Sequence, residues 1–203
     1  MREVWFAVHG MSQLATSFAR RFERVASPTR LVVVPEALSR YYLAPAEAIR
    51  AGEVKVGASW MTREARDLEI TDHVRYLDLL WERLAARYPL ATARVTVLGF
   101  SQGVATIGRW LARSRVARAD AVILWGGKVP VDIFPLGEDS SLRRAHWTMV
   151  VGDRDDFATP EVVAEERARL AAAGLAVEFV SFPGGHAIDP DTLARLASEA
   201  RAG

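Results

Sequence analysis

Cysteine is absent from the 203-residue chain. This excludes disulfides, cysteine nucleophiles and thiolate metal ligands, and it is compatible with a reducing compartment. No stretch approaches the roughly 18 apolar residues of a membrane span, and the apolar run after the N-terminus is too short for a signal-peptide core. We therefore expect a cytoplasmic protein without stable membrane insertion. No pattern indicates an oligomeric state.

Blocks of like charge are also missing. The 26 basic and 25 acidic side chains are interspersed and give a net charge of +1, so nucleic acid is not an expected partner. Neither the Gly-x-Gly-x-x-Gly nor the P-loop pattern occurs, which disfavours nucleotide enzymes. With no cysteine and no closely spaced histidine pair, a zinc site is not expected either. The composition is that of a globular protein, and the length suits one domain over residues 1–203.

Short apolar runs alternate with longer amphipathic segments. This alternation predicts an α/β fold whose mostly parallel sheet, of about six or seven strands, has helices on both faces. The helices are expected over Ser12–Val25, after an N-cap at Thr62, after Thr159 and after Asp189. Two segments, Pro35–Met61 and Lys128–Ala145, are predicted to be irregular. The predicted strands are Val4–Val8, Arg30–Val34, Arg94–Phe100, Ala121–Trp125, Trp147–Val151 and Val177–Phe182.

The strongest chemical signal is Gly99-Phe-Ser-Gln-Gly103, which lies between the predicted strand Arg94–Phe100 and a helix that is predicted to start at Gln102. A nucleophilic serine on a sharp strand-to-helix turn needs small residues two positions before and two positions after it, because backbone approaches closely there. The first N–H groups of the following helix point towards negative charge that develops on a substrate oxygen. We interpret Ser101 as a nucleophile; the alternative is a purely structural glycine-flanked turn.

A serine hydroxyl needs a base within hydrogen-bond reach. Of the four histidines, only His9 and His186 follow the carboxyl end of a predicted strand, where Ser101 also lies. His186 stands in a glycine-containing loop before the last helix, in the serine–acid–histidine chain order of α/β-hydrolases, and is the predicted base. His73 lies on the long helix, and His146 begins a strand at the opposite edge.

An acid is needed to orient the histidine, and backbone donors are needed for the oxyanion. The loop after the fifth predicted strand carries Asp153, Asp155 and Asp156, and the residues alone leave the choice among them open. The turn after the first strand, His9-Gly10, suggests that the Met11 N–H faces the oxyanion together with the Gln102 N–H. The alternative for this turn is a tight connection in which His9 is merely buried.

Taken together, these motifs resemble the phospholipase/carboxylesterase group of α/β-hydrolases, which includes the acyl-protein thioesterases. Gly99–Gly103 is similar to the group's nucleophile motif, and Gly152-Asp-Arg-Asp155 resembles its Gly-x-x-Asp motif, which implies that Asp155 is the triad acid. Gly184–Ile188 resembles its Gly-Gly-His loop, and Ser59-Trp60 resembles a Ser-Trp pair before its long helix. The chain departs from the group at Met11-Ser12, where a second glycine is common, and in the Pro35–Met61 loop.

The expected activity is hydrolysis of a small carboxylic ester, or of a thioester or lysophospholipid, through an acyl-enzyme on Ser101 and with no metal or organic cofactor. The apolar Pro35–Met61 segment either packs as core or lines a cleft, in which case Trp60 would contact substrate; Phe157 could line the same cleft. Two alternatives stay open: a non-catalytic binding protein on this scaffold, and acyl transfer to an acceptor other than water.

Overall fold

The computed structural model describes residues 1–50, 52, 54–137 and 140–199. These ranges contain eight strands and six α-helices. The strands are β1 (Glu3–Val8), β2 (Arg30–Val33), β3 (Ser39–Tyr42), β4 (Val56–Ser59), β5 (Arg94–Phe100), β6 (Ala121–Trp125), β7 (His146–Gly152) and β8 (Val177–Phe182). The helices are α1 (Ala15–Ala19), α2 (Ala46–Arg50), α3 (Arg66–Ala85), α4 (Gln102–Arg113), α5 (Pro160–Ala172) and α6 (Pro190–Glu199).

Six of the strands form one sheet in the order β2-β1-β5-β6-β7-β8, and every neighbouring pair is parallel. From β1 the chain first adds β2 on one side and later adds β5 on the other, so the direction of winding reverses between β1 and β5. In open α/β sheets, ligands bind outside the carboxyl ends of the strands at such a reversal. His9 directly follows β1 and Ser101 directly follows β5, so both lie at this crevice.

Apolar side chains alternate between the two faces of the sheet, because successive residues of a strand point in opposite directions. On β1, Val4, Phe6 and Val8 belong to an apolar cluster that includes side chains of α3, α4 and α5, whereas Trp5 and Ala7 belong to a second cluster that includes side chains of α1 and α6. All five side chains are fully buried. The two faces are therefore both covered, as predicted for strands that are apolar on each side.

The predicted strands of this sheet are confirmed, each to within a residue or two at its ends. The capping predictions at the last two helices are also confirmed. Thr159 accepts a hydrogen bond from the Val162 N–H, and Asp189 accepts one from the Thr192 N–H. In the described ranges, no helix is both long and apolar enough to cross a membrane.

Two helix predictions are wrong in detail. Thr62 is not the N-cap of the long helix: α3 begins at Arg66 after a left-handed Ala65 (φ 47°), and the Thr62 hydroxyl donates to the Glu69 carboxylate. The predicted helix over Ser12–Val25 is a short α1 followed by a 3₁₀ turn over Arg20–Val25. It starts late because the backbone of residues 12 and 13 is hydrogen-bonded to Ala58.

The segment Pro35–Met61 is less irregular than predicted. It contains α2 and an antiparallel hairpin of β3 and β4, in which Tyr42 pairs with Val56. The end of the segment packs as core, since Trp60 is 2% exposed, whereas Tyr42 near its start is 57% exposed. The other irregular segment, Lys128–Ala145, contains only two 3₁₀ turns in its described part.

Candidate active site

Ser101 occupies the sharp turn between β5 and α4. Its backbone is strained (φ 53°, ψ −116°), and its N–H donates to the Trp125 carbonyl at 2.8 Å. Such a conformation costs a non-glycine residue about 1–3 kcal/mol and is typical of functional sites. A Cβ atom on Gly99 would lie 2.5 Å from the Gly103 carbonyl oxygen, and one on Gly103 would overlap the Val8 carbonyl. Both glycines of the motif are therefore required by close backbone packing.

His186 is hydrogen-bonded to a buried carboxylate. Its Nδ1 lies 2.8 Å from Oδ2 of Asp155, which is 5% exposed and whose Oδ1 accepts the Phe157 N–H at 3.0 Å. Because a carboxylate only accepts hydrogen bonds, Nδ1 carries the proton and the lone pair of Nε2 is free for another donor. Asp153 instead accepts the Gly184 N–H, and Asp156 is exposed. Of the three acids in this loop, Asp155 is thus the one that contacts the histidine.

The serine turn and the histidine loop meet at the end of β6. The Trp125 carbonyl accepts the Ser101 N–H, while the Trp125 indole donates to the Ala187 carbonyl at 2.9 Å. A Cβ atom on Gly126 would lie 3.2 Å from the His186 ring, and the Phe100 and His186 rings are 5.0 Å apart between centroids. Within the described residues, no hydrogen bond joins the Ser101 hydroxyl to His186. Hydrogen bonds of this kind in enzymes are often long or poorly aligned without substrate and tighten only when substrate binds.

His9 is buried, and both of its ring nitrogens are engaged. The Ala37 N–H donates to Nε2 at 3.1 Å, so the proton is on Nδ1, which donates to the Gly10 carbonyl at 2.7 Å. Burial lowers the pKa of His9 and keeps the ring neutral. A histidine with no free lone pair cannot remove a proton from serine, so His9 shapes the turn after β1.

Two backbone N–H groups remain unused beside the serine. The Gly10 N–H donates to the Gln13 side chain at 2.9 Å, whereas the Met11 N–H donates no hydrogen bond within the described residues. Gln102 is the first residue of α4, where an N–H has no partner within the helix. A Cβ atom on Gly10 would lie 3.1 Å from the Ser101 Cβ, so this loop packs directly against the serine.

The two residues expected to contact substrate lie in different environments. Trp60 is 2% exposed, and its indole N–H donates to the His9 carbonyl at 2.9 Å. It therefore packs behind the crevice and does not line it. Phe157 is 73% exposed, and its ring centroid lies 5.0 Å from that of His186.

The remaining histidines lie away from this crevice. His146 begins β7 at the opposite edge of the sheet and faces Glu178 at 3.2 Å. His73 is fully buried on α3, and burial lowers its pKa to about 4, so it is neutral at physiological pH. Neither has a place in chemistry at Ser101.

A small apolar hollow opens beside the site. Its volume is about 20 Å³, room for about one water molecule, and it lies between the end of β6 and α5. Gly126, which lies beside the His186 ring, and Phe157 are among its lining residues, together with Met149, Val151 and Val162. The sequence gives no sign of this hollow, because its residues come from separate segments that only the sheet brings together.

The parallel sheet with a strained serine between a strand and a helix is the α/β-hydrolase fold, as predicted. Solved structures with this fold align over nearly the whole chain. They include SOBER1 of Arabidopsis thaliana (TM-score 0.74, 17% identity, covering 100% of this chain and 99% of that one). Acyl-protein thioesterase 2 of Zea mays is similar, with a TM-score of 0.74 and 17% identity over 99% of this chain and 93% of that one. A carboxylesterase of Mesorhizobium loti is also similar, with a TM-score of 0.72 and 22% identity over 100% of this chain and 90% of that one. No protein-family model and no curated protein sequence matches the chain.

Proposed function

We propose that this protein is a serine hydrolase that cleaves small carboxylic esters or thioesters through an acyl-enzyme on Ser101. The observation that carries the proposal is the His186–Asp155 pair, with its 2.8 Å contact, packed against the same end of β6 as the strained serine. The neighbouring esterase and thioesterase structures support the class of reaction by analogy of fold.

In the proposed reaction, Nε2 of His186 takes the Ser101 proton while Oγ forms a bond to the substrate carbonyl carbon. Asp155 stabilises the imidazolium, and the Met11 and Gln102 N–H groups stabilise the oxyanion. The alcohol or thiol leaves with the proton from His186. Water then attacks the acyl-enzyme with His186 again as base, and the acid is released.

A fluorophosphonate probe tests this function directly, since only an activated serine reacts with it. We expect the intact protein to gain one probe adduct, which peptide mass spectrometry places on Ser101. Prior incubation with an ester substrate should slow labelling. Absence of labelling in protein that hydrolyses esters would contradict Ser101 as nucleophile, and absence of both activities would favour a non-catalytic binding protein.

The small apolar hollow sets an expectation for substrate size. Because it has room for little more than one water molecule, at most the end of a short acyl group should enter it, whereas long chains must extend into solvent past Phe157. With p-nitrophenyl esters of increasing acyl length, we expect kcat/KM to be highest for short to medium chains. Val162→Phe, which fills the hollow, should shift the preference to the shortest esters. A flat profile that this variant leaves unchanged would show that the acyl group binds elsewhere.

A further inference from the structure

The two proposed oxyanion donors belong to distant parts of the chain. The Met11 N–H is in the loop after β1, and the Gln102 N–H is at the start of α4. Oxyanion donors must lie about 2.7–3.1 Å from the position that the oxygen will occupy. The spacing of these two groups must therefore be set by contacts that join the loop to the helix.

One short segment, Gly57–Met61, contacts the loop after β1. The Ser12 N–H donates to the Ala58 carbonyl at 2.9 Å, and the Ala58 N–H donates to the Gln13 carbonyl at 3.1 Å. The packing is tight, since a Cβ atom on Gly57 would lie 2.7 Å from the Ser12 Cα. Ser12, which follows Met11, is thus bound to this segment, and Gly10, which precedes it, is bound to Gln13 within the turn.

The same segment contacts α4 through the Gln102 side chain. The Trp60 N–H donates to Oε1 of Gln102 at 2.9 Å, and Nε2 of Gln102 donates to the Met61 carbonyl at 2.7 Å and to the Ser59 hydroxyl at 3.1 Å. The Ser59 hydroxyl, which is buried, in turn donates to the Met61 carbonyl at 2.8 Å. Both ends of one amide are used, and only a side chain with an acceptor and a donor can do this.

We infer that the Gln102 side chain is a positioning residue for the oxyanion hole, in addition to the donor that its backbone supplies. Its amide ties α4 to the segment Gly57–Met61, and that segment ties to the loop of Met11, so this hydrogen-bonded connection adds to the direct packing of the loop against Ser101 in fixing the distance between the two donors. This inference rests on the proposed function, because it concerns the same site. Misplacing a reacting group by about 1 Å can cost a factor of about 10² in rate.

Gln102→Met tests the inference, because it keeps the backbone N–H and the length of the side chain but removes the amide. We expect kcat to fall by about ten- to a hundred-fold with KM changed less than about three-fold, since the interaction acts in the transition state. A trifluoromethyl ketone inhibitor gives a second readout. Ser101 adds to its carbonyl carbon to form a tetrahedral oxyanion, so its Ki should rise by the same factor by which kcat/KM falls.

Ser59→Ala removes a second member of the same connection. Its effect alone should be smaller, and its effect in the Gln102→Met background should be less than additive, because both changes break one connection. If Gln102→Met does not fold, Ser59→Ala carries the test with an expected loss of about three- to ten-fold in kcat. The control is Ser114→Ala, which removes partly buried hydrogen bonds at the other end of α4 and should change stability but neither kcat nor Ki.

The outcomes separate the two proposals. A wild-type protein that neither hydrolyses esters nor reacts with the fluorophosphonate would overturn the proposed function and this inference with it. An active wild type whose Gln102→Met and Ser59→Ala variants keep kcat and Ki, per titrated active site, would overturn the inference alone. A rise in KM at unchanged kcat would also overturn it, since the amide would then act in substrate binding.

Discussion

Ser101→Ala is expected to lower kcat/KM by a factor of about 10³ or more, with the fold intact. The variant removes the only atom that forms the acyl bond in the proposed reaction, whereas the oxyanion donors and His186 remain. The strained backbone at position 101 is retained, and alanine tolerates it no better or worse than serine. Steady-state hydrolysis of p-nitrophenyl acetate measures the loss.

Two control measurements accompany this variant. Its Tm should stay within a few degrees of the wild-type value, which shows that the loss is chemical. Fluorophosphonate labelling should disappear. A Ser101→Ala protein with full esterase activity would exclude the acyl-enzyme mechanism, whatever its stability.

Asp155→Asn is expected to lower kcat by about 10³- to 10⁴-fold, the effect of the same change in serine-protease triads. Oδ1 of Asp155 accepts the Phe157 N–H, so an asparagine keeps its oxygen there and directs its NH₂ group at Nδ1 of His186. Nδ1 must then accept, and the proton moves to Nε2, the atom that has to receive the serine proton. The histidine is held in place but in the wrong tautomer.

The matched control is Asp156→Asn, which removes the same charge from the next, exposed residue of the loop. We expect its kcat to remain within about two-fold of the wild type, because an exposed charge in water contributes little. If both variants lose activity equally, general electrostatics of the loop, and not the hydrogen bond to His186, would explain the effect. If neither loses activity, Asp155 has no part in the reaction.

Much of the crevice could be predicted because the sequence patterns that indicate it each lie within a few consecutive residues. The turn at Ser101 needs glycines at two fixed positions for steric reasons, and these are visible in five consecutive residues. The alternation of side chains between the two faces of β1 and the caps at Thr159 and Asp189 could be predicted for the same reason. At each cap, one side chain accepts a hydrogen bond from a backbone N–H three residues later. In such cases, the physical cause and the pattern occupy the same short stretch.

Predictions failed where a distant segment competed for the backbone. The helix expected from Ser12 begins late because residues 12 and 13 pair with Ala58, more than 40 positions further along the chain. For Trp60, by contrast, the sequence left open whether its apolar segment packs inside or lines a cleft, and its 2% exposure followed from contacts with His9 and Gln102. Composition could not distinguish these outcomes.

The order of residues along the chain was enough to predict which segments form strands, the serine turn and the histidine loop, since each of these patterns lies within a few neighbouring residues. Three matters depended on tertiary structure: which of three acids contacts His186, which N–H groups remain free at the crevice, and what the amide of Gln102 binds. Each depends on distances between segments 30 or more positions apart. Those distances are set only when all the strands have packed, because packing alone determines which loops share an edge of the sheet.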